Sequence, residues 1–254
     1  PAERHVLLTE TSGGVGTFEG ADFGVVIVPI EQNVLEADAD ATVRADVSSR
    51  MNDNYGADPF LGVGTTRSSP DPNDAIRGLV RFDLAGVSRP VISAHLELTI
   101  CAFRDGYDQT YQLDLNPIVA SGPRTPWIEG NGSEVTPLPV GVAWVDAADG
   151  VAWVGYGDGG DFNNQTQPEF DPTPAASATI VQADHAAGDV IRWDITDLVN
   201  RWSSGEMTNN GVVIRDIQAQ GGFRQLWFGA RDGLLRGYTD SRVQAGPRLV
   251  LVFE

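Results

Sequence analysis

The sequence predicts an all-β protein, a β-sandwich with one short helix at one end. Three observations carry this. Apolar residues fall in short, often alternating runs bounded by Gly, Pro, Asn and Asp. Hydrophobic residues make up 41% of 254 positions, enough for a packed core and too many for a disordered chain. No apolar run approaches the roughly 18 residues of a membrane-spanning helix; the longest, Val25–Ile30, has strand length.

Candidate strands follow in order: Val6–Thr9, Gly16–Glu19, Val25–Ile30, Ala41–Ala45, Leu61–Val63, Gly78–Leu84, Ser93–Ala102, Tyr111–Ile118, Ala143–Val145, Ala178–Val181, Val190–Trp193, Gly211–Arg215, Gln225–Gly229 and Arg248–Phe253. In His95-Leu96-Glu97-Leu98-Thr99-Ile100 every second residue is apolar, which places Leu96, Leu98 and Ile100 on one face of a pleat. The one helical pattern runs from Asp194 to Trp202. Ile195, Leu198, Val199 and Trp202 share a face, Asp194 or Thr196 can cap the start, and Gly205 lies past the end. Asp146–Pro174, rich in Gly, Asp, Asn and Pro, reads as a long loop of the kind that often carries function. Residues 1–34 read as a separate extension of β-strand character, docked on its own body or on a neighbouring copy.

The charge narrows the partners. Seventeen basic residues, all Arg, stand against 35 acidic ones, for a net charge of −18. Nucleic acid needs clustered cations and is excluded as an expected partner. Cys101 is the one cysteine, so there is no intramolecular disulfide; within an apolar run it reads as a small buried hydrophobe.

From about residue 35 to the end, the chain resembles the DNRLRE-type domain, an extracellular bacterial β-sandwich related to a family of carbohydrate-binding modules. The motifs occur in the family's order. Ala37-Asp38-Ala39-Asp40-Ala41-Thr42-Val43-Arg44 opens the match, followed by Asn54-Tyr55-Gly56 and Leu61-Gly62-Val63-Gly64. Asp74-Ala75-Ile76-Arg77-Gly78-Leu79-Val80-Arg81-Phe82-Asp83-Leu84 corresponds to the block that names the family, with Ile76 and Gly78 departing from it. Trp127-Ile128-Glu129-Gly130, Gly150-Val151-Ala152-Trp153, Trp193-Asp194-Ile195-Thr196-Asp197-Leu198-Val199 and Pro247-Arg248-Leu249-Val250 complete it. The resemblance implies a jelly-roll-like antiparallel sandwich, an extracellular or cell-surface setting and no catalytic activity.

His5, His95 and His185 have no nucleophile in a recognisable context, so a catalytic triad is not expected. Glu129, close to Trp127, is the most tempting glycosidase carboxylate; its bland role is a pair with an arginine such as Arg124. Calcium takes six to eight oxygen ligands. Asp38, Asp40, Asn52, Asp53, Asp158 and Asp161 are candidate ligands of a structural ion assembled from separate loops, and turn-forming is their alternative role. Trp127, Trp144, Trp153 and Tyr156 are candidates for stacking on sugar rings, whereas Trp193, Trp202 and Trp227 belong in the core.

Two functions are expected, the first ahead of the second. One is a non-catalytic structural subunit of a surface filament or layer, its partners copies of itself or other surface proteins. Val25, Val26, Ile27, Val28 and Ile30 would then donate a strand to a neighbour's open sheet edge, and a head-to-tail contact of that kind does not close. The other is a carbohydrate-binding module recognising a polysaccharide, where a charge of −18 disfavours anionic polymers unless calcium bridges them.

Overall fold

The computed structural model describes residues 31–45, 51–65, 75–104, 109–119, 126–133, 136, 140–153, 169–217, 223–235 and 245–253. The candidate strands Val6–Thr9, Gly16–Glu19 and Val25–Ile30 lie outside these residues, with Asp158, Asp161 and Tyr156. No described helix is long and apolar enough to cross a membrane.

The protein is an antiparallel all-β fold. Its strands are β1 (Glu31–Glu36), β2 (Ala39–Arg44), β3 (Phe60–Thr65), β4 (Ala75–Arg81), β5 (Ser93–Phe103), β6 (Thr110–Pro117), β7 (Asp146–Ala148), β8 (Val151–Ala152), β9 (Ala176–Val181), β10 (Val190–Asp194), β11 (Val212–Asp216), β12 (Arg224–Gly229) and β13 (Arg248–Phe253). An 11-stranded sheet runs β1-β13-β5-β12-β3-β4-β11-β6-β9, with β10 on β5 and β2 on β4. β5 makes the turn between the two layers. Its first half pairs with β13 and β10, while Ile100–Phe103 pair with β12 through a register shift at Trp227/Phe228. Such an irregularity bends a strand and lets it belong to two layers.

Two cores result. The first, between the layers, holds Leu96, Leu98, Ile100, Val80, Val212, Ile214, Leu226, Phe228, Leu249 and Leu251. The second lies on the opposite face of the β2-β4-β11 layer, where Ala39, Ala41, Val43, Leu79 and Val213 meet Trp127, Trp144, Trp153 and Phe170. Residues adjacent in sequence, such as Leu79 and Val80, therefore enter different cores, as the alternation of a strand requires. That layer is buried on both faces because segments 126–133 and 140–153 fold over it as a cap.

The α-helix α1 (Thr196–Ser203) closes one end and buries Leu198, Val199 and Trp202. Asp194 Oδ1 accepts from the Thr196 N–H at 3.0 Å, and Asn200 holds the Val91 backbone through both its amide oxygen and nitrogen. Gly205 follows the helix at φ +76°. A one-turn helix, α2 (Arg231–Leu235), and a 3-10 turn at Gln182–Asp184 were not anticipated. Neither has the apolar period that reveals a helix in sequence.

Three differences from the sequence expectation go beyond a residue or two at a strand end. β1 is polar and exposed, and it crosses residue 34, so the body of the fold begins by Glu31; Glu31–Glu36 pair with Phe253–Arg248. Ala143–Val145 is not a strand. Trp144 and Val145 point into the second core, and the short hairpin β7–β8 forms after them around Gly150 at φ +61°. β4 stops at Arg81, beyond which Leu84 accepts a turn hydrogen bond from Val87.

Candidate functional site

The densest charged constellation among the described residues lies where the cap meets the sheet. Register sets it up: Ala39 pairs with Arg81, so Asp38 at the entry to β2 sits beside the end of β4. Arg81 donates to Asp38 Oδ2 from Nε at 3.0 Å and from Nη2 at 2.8 Å. Its Nη1 donates to the Trp127 carbonyl at 2.8 Å, and its guanidinium lies 5.1 Å from the centre of the Trp127 ring. Two residues on, Asp40 points the same way and is 1% exposed.

Asp40 and Glu129 meet through the Asp40 backbone N–H and one arginine. The Asp40 N–H donates to Glu129 Oε1 at 2.8 Å. The Arg231 N–H, at the start of α2, donates to Asp40 Oδ2 at 2.7 Å; the Arg231 side chain bonds the Asp38 carbonyl at 2.6 Å and pairs with Glu129 Oε2. Burial pushes the Asp40 carboxyl up to about 8, with the Arg231 N–H opposing and Glu129 adding to the rise. Burial also raises Glu129, against the hydrogen bond from Asp40 and the charge of Arg231.

Asn54 fixes the cap against this cluster. Its Nδ2 donates to the carbonyls of Glu129 at 2.6 Å and Val142 at 2.7 Å, while Oδ1 accepts from Gly56 at 3.2 Å and Gly132 at 2.8 Å. All four hydrogen-bonding positions of the amide are used. Gly130 has φ +80°, and a Cβ there would stand 2.2 Å from the Val140 carbonyl oxygen and 2.5 Å from Asn54 Oδ1, so a side chain is excluded.

Chemically, a neutral Asp40 beside Glu129 has the raised pKa of an acid–base pair. It lacks access: Asp40 is sealed, and both carboxylates are engaged by Arg231. The geometry is a latch joining β2, β4, α2 and the cap. Beside it, Asp38, Arg81, Phe82, Trp202, Thr208 and Asn209 line a surface groove of about 720 Å³.

The residues singled out by sequence fall as follows. Asp38 and Asp40 come together with Glu129, but around arginines. The Arg81 guanidinium holds Asp38 Oδ2, the Arg231 N–H holds Asp40 Oδ2 and the Arg231 side chain holds Glu129 Oε2. Glu129 pairs with Arg231; Arg124 lies outside the described residues. Asn52 is exposed, and Asp53 Oδ2 accepts from the Tyr55 hydroxyl at 3.5 Å, remote in role from the latch. Among the described residues no group of three His, Cys, Asp or Glu is disposed to hold a metal.

The sugar-stacking expectation for Trp127, Trp144 and Trp153 does not match their placement, because stacking needs an open ring face and these three are 1%, 0% and 0% exposed. They are the roof of the second core. Trp127 Nε1 donates to the Asn210 carbonyl at 2.9 Å and Trp153 Nε1 to the Ala143 carbonyl at 3.0 Å. Arg77 covers Trp144 at 5.0 Å. Sequence reasoning missed Arg231, Arg81 and Asn54 as the groups that organise the site. Asn54 and Arg81 stood inside ordered motifs, whereas an arginine 191 residues from Asp40 left no local signal.

No family model matches the chain, and no curated protein is similar to it.

Proposed function

We propose that the chain is a non-catalytic extracellular structural module, a subunit of a surface filament or layer joined by exchange of its N-terminal strand. One observation carries this reading. The apolar segment Val25–Ile30 runs directly into β1, and β1 is an exposed strand at the margin of the sheet. A β-prone segment leaving a sheet edge is well placed to satisfy the open backbone groups of a neighbour. The latch supports the same reading, since its carboxylates serve to hold a cap and not to meet a substrate.

Negative-stain microscopy of the full chain and of a form lacking residues 1–30 tests the proposal. That deletion spares β1. Ordered assemblies from the full chain, lost in the shortened one, are expected; assemblies that persist unchanged without residues 1–30 would overturn the reading.

Polysaccharide binding is the second reading, favoured by the groove beside Arg81, whose wall mixes Trp202 with amide, hydroxyl and carboxylate groups. Retention on neutral or acidic polysaccharide gels, with and without a chelator, tests it. No retention on any of them rules it out.

A further inference from the structure

We infer that the edge of β9 is the acceptor for the Val25–Ile30 segment of a second copy of this chain. The inference rests on the assembly reading above and names the surface that reading lacks.

The outer strands of the main sheet differ in how they are guarded. β1 carries Glu31 and Glu36, with Glu31 in an ion pair with Arg89. β10 carries Arg192 and Asp194. β2 is flanked by the Thr42–Tyr55 bridge and by the bond from the Asp40 N–H to Glu129. β9 reads Ala-Ser-Ala-Thr-Ile-Val, with no charge and no proline, and pairs on one side with β6. Among the described residues no strand lies on its other side. Charges and prolines are the usual protection of an edge, and their absence leaves a template for another strand. Ser177, Thr179 and Val181 are exposed along β9, and Val190 is exposed at the start of neighbouring β10.

The occupant follows from composition and reach. Val25-Val26-Ile27-Val28-Pro29-Ile30 is also uncharged, so neither strand brings an unpaired ion into the contact. Its parity is constrained, because Pro29 has no N–H to give. Val26, Val28 and Ile30 must bond to β9, and Pro29 then faces outward. A proline on the outer edge of the donor stops a further strand from adding there, so the contact extends a chain of subunits without widening the sheet.

Covalent geometry sends the segment to another copy. Ile30 is bonded to Glu31, which keeps their Cα atoms about 3.8 Å apart, and Glu31 is fixed opposite Phe253. From β1 to β10 there are three strand spacings across β13 and β5, about 14 Å. β9 lies beyond, in the other layer. Ile30 cannot leave β1's margin and also pair with β9 of the same body.

The test uses the full chain in two differently tagged forms, one with Val28→Cys and the other with Ser177→Cys, Thr179→Cys or Val181→Cys in turn. The native Cys101 is 1% exposed and stays out of the reaction. A disulfide joining the two tags is expected for at least one position under mild oxidation. No cross-link between the two tags at any position overturns the inference. A second variant, Ser177→Lys with Thr179→Lys, changes two exposed residues, and its thermal midpoint shows that it folds. At least a tenfold fall in assembled material is expected, and undiminished assembly overturns the acceptor assignment. If removing residues 1–30 abolishes assembly while these lysines do not, the acceptor is wrong and the assembly reading stands. If neither change affects assembly, both fall.

Discussion

Asp40→Asn should flatten part of the pH dependence of stability. The carboxyl ionises near 3.8 when solvated and near 8 when buried in the latch. Between those values the folded protein keeps a proton that the unfolded chain gives up, so unfolding releases one proton. Stability from this group is therefore fully present below 3.8 and is lost as pH rises through about 8. The linkage slope for one proton is about −1.4 kcal/mol per pH unit. Over the two units from pH 5 to pH 7 this is about 3 kcal/mol. Asparagine keeps an oxygen for the Arg231 N–H and removes the ionisation. Urea unfolding of both proteins at pH 5, 6 and 7, followed by tryptophan fluorescence, isolates the difference, since all other carboxylates are common to both. The wild-type free energy should fall relative to the variant by about 1.4 kcal/mol per unit, and parallel pH profiles would refute the assignment of a buried proton to Asp40.

Asn54→Ala strands two carbonyls and two N–H groups in the cap, and urea denaturation should show a loss of about 4 kcal/mol or more, from the low end of 1–3 kcal/mol for each of the four groups left unsatisfied. Trp144→Ala, which opens the roof of the second core, should cost a similar 3–5 kcal/mol by the same measurement; a loss below about 1 kcal/mol would mean that the cap is not packed as described. Arg231→Met removes the partner of Glu129 and should destabilise by about 3 kcal/mol or more, with the loss shrinking as pH falls and Glu129 takes up a proton. Should calcium raise the thermal midpoint, Asp38→Asn and Asp40→Asn should leave that rise unaltered, because Arg81 and the Arg231 N–H already hold one oxygen of each.

The sandwich was legible because its rules are local. Leu96, Leu98 and Ile100 alternate with polar residues, so the inner face of β5 could be read directly, and the helix at Thr196–Ser203 showed its period and the glycine past its end, although its N-cap is Ile195 and neither Asp194 nor Thr196. Glu97 shows where locality ends. Alternation puts it outward, yet it is 6% exposed because Arg192 and Arg248, from strands on either side, close over it at 2.7 and 3.0 Å. β1 was hidden for the opposite reason. Its polar side chains carry no strand signature, and pairing with the far end of the chain is what makes it a strand.

The tryptophans expose a sharper ambiguity between recognition and packing. An aromatic residue in a Gly- and Pro-rich loop has the same local appearance whether it waits for a ligand or roofs a sheet. Here the second core decides. Val212-Val213-Ile214 is apolar without a break, the pattern of a strand buried on both faces, so something must cover the side that Val213 presents. Val213 and Leu79 sit under Trp127, Trp144 and Trp153, which means that the strand had already announced the need for a roof and the loop supplied it. The latch follows from the same demand. A cap made of short loops has little regular hydrogen bonding of its own, so Asn54 ties its backbone and Arg231 ties Glu129 to the sheet. The cost is a buried carboxyl at Asp40 that keeps its proton at neutral pH.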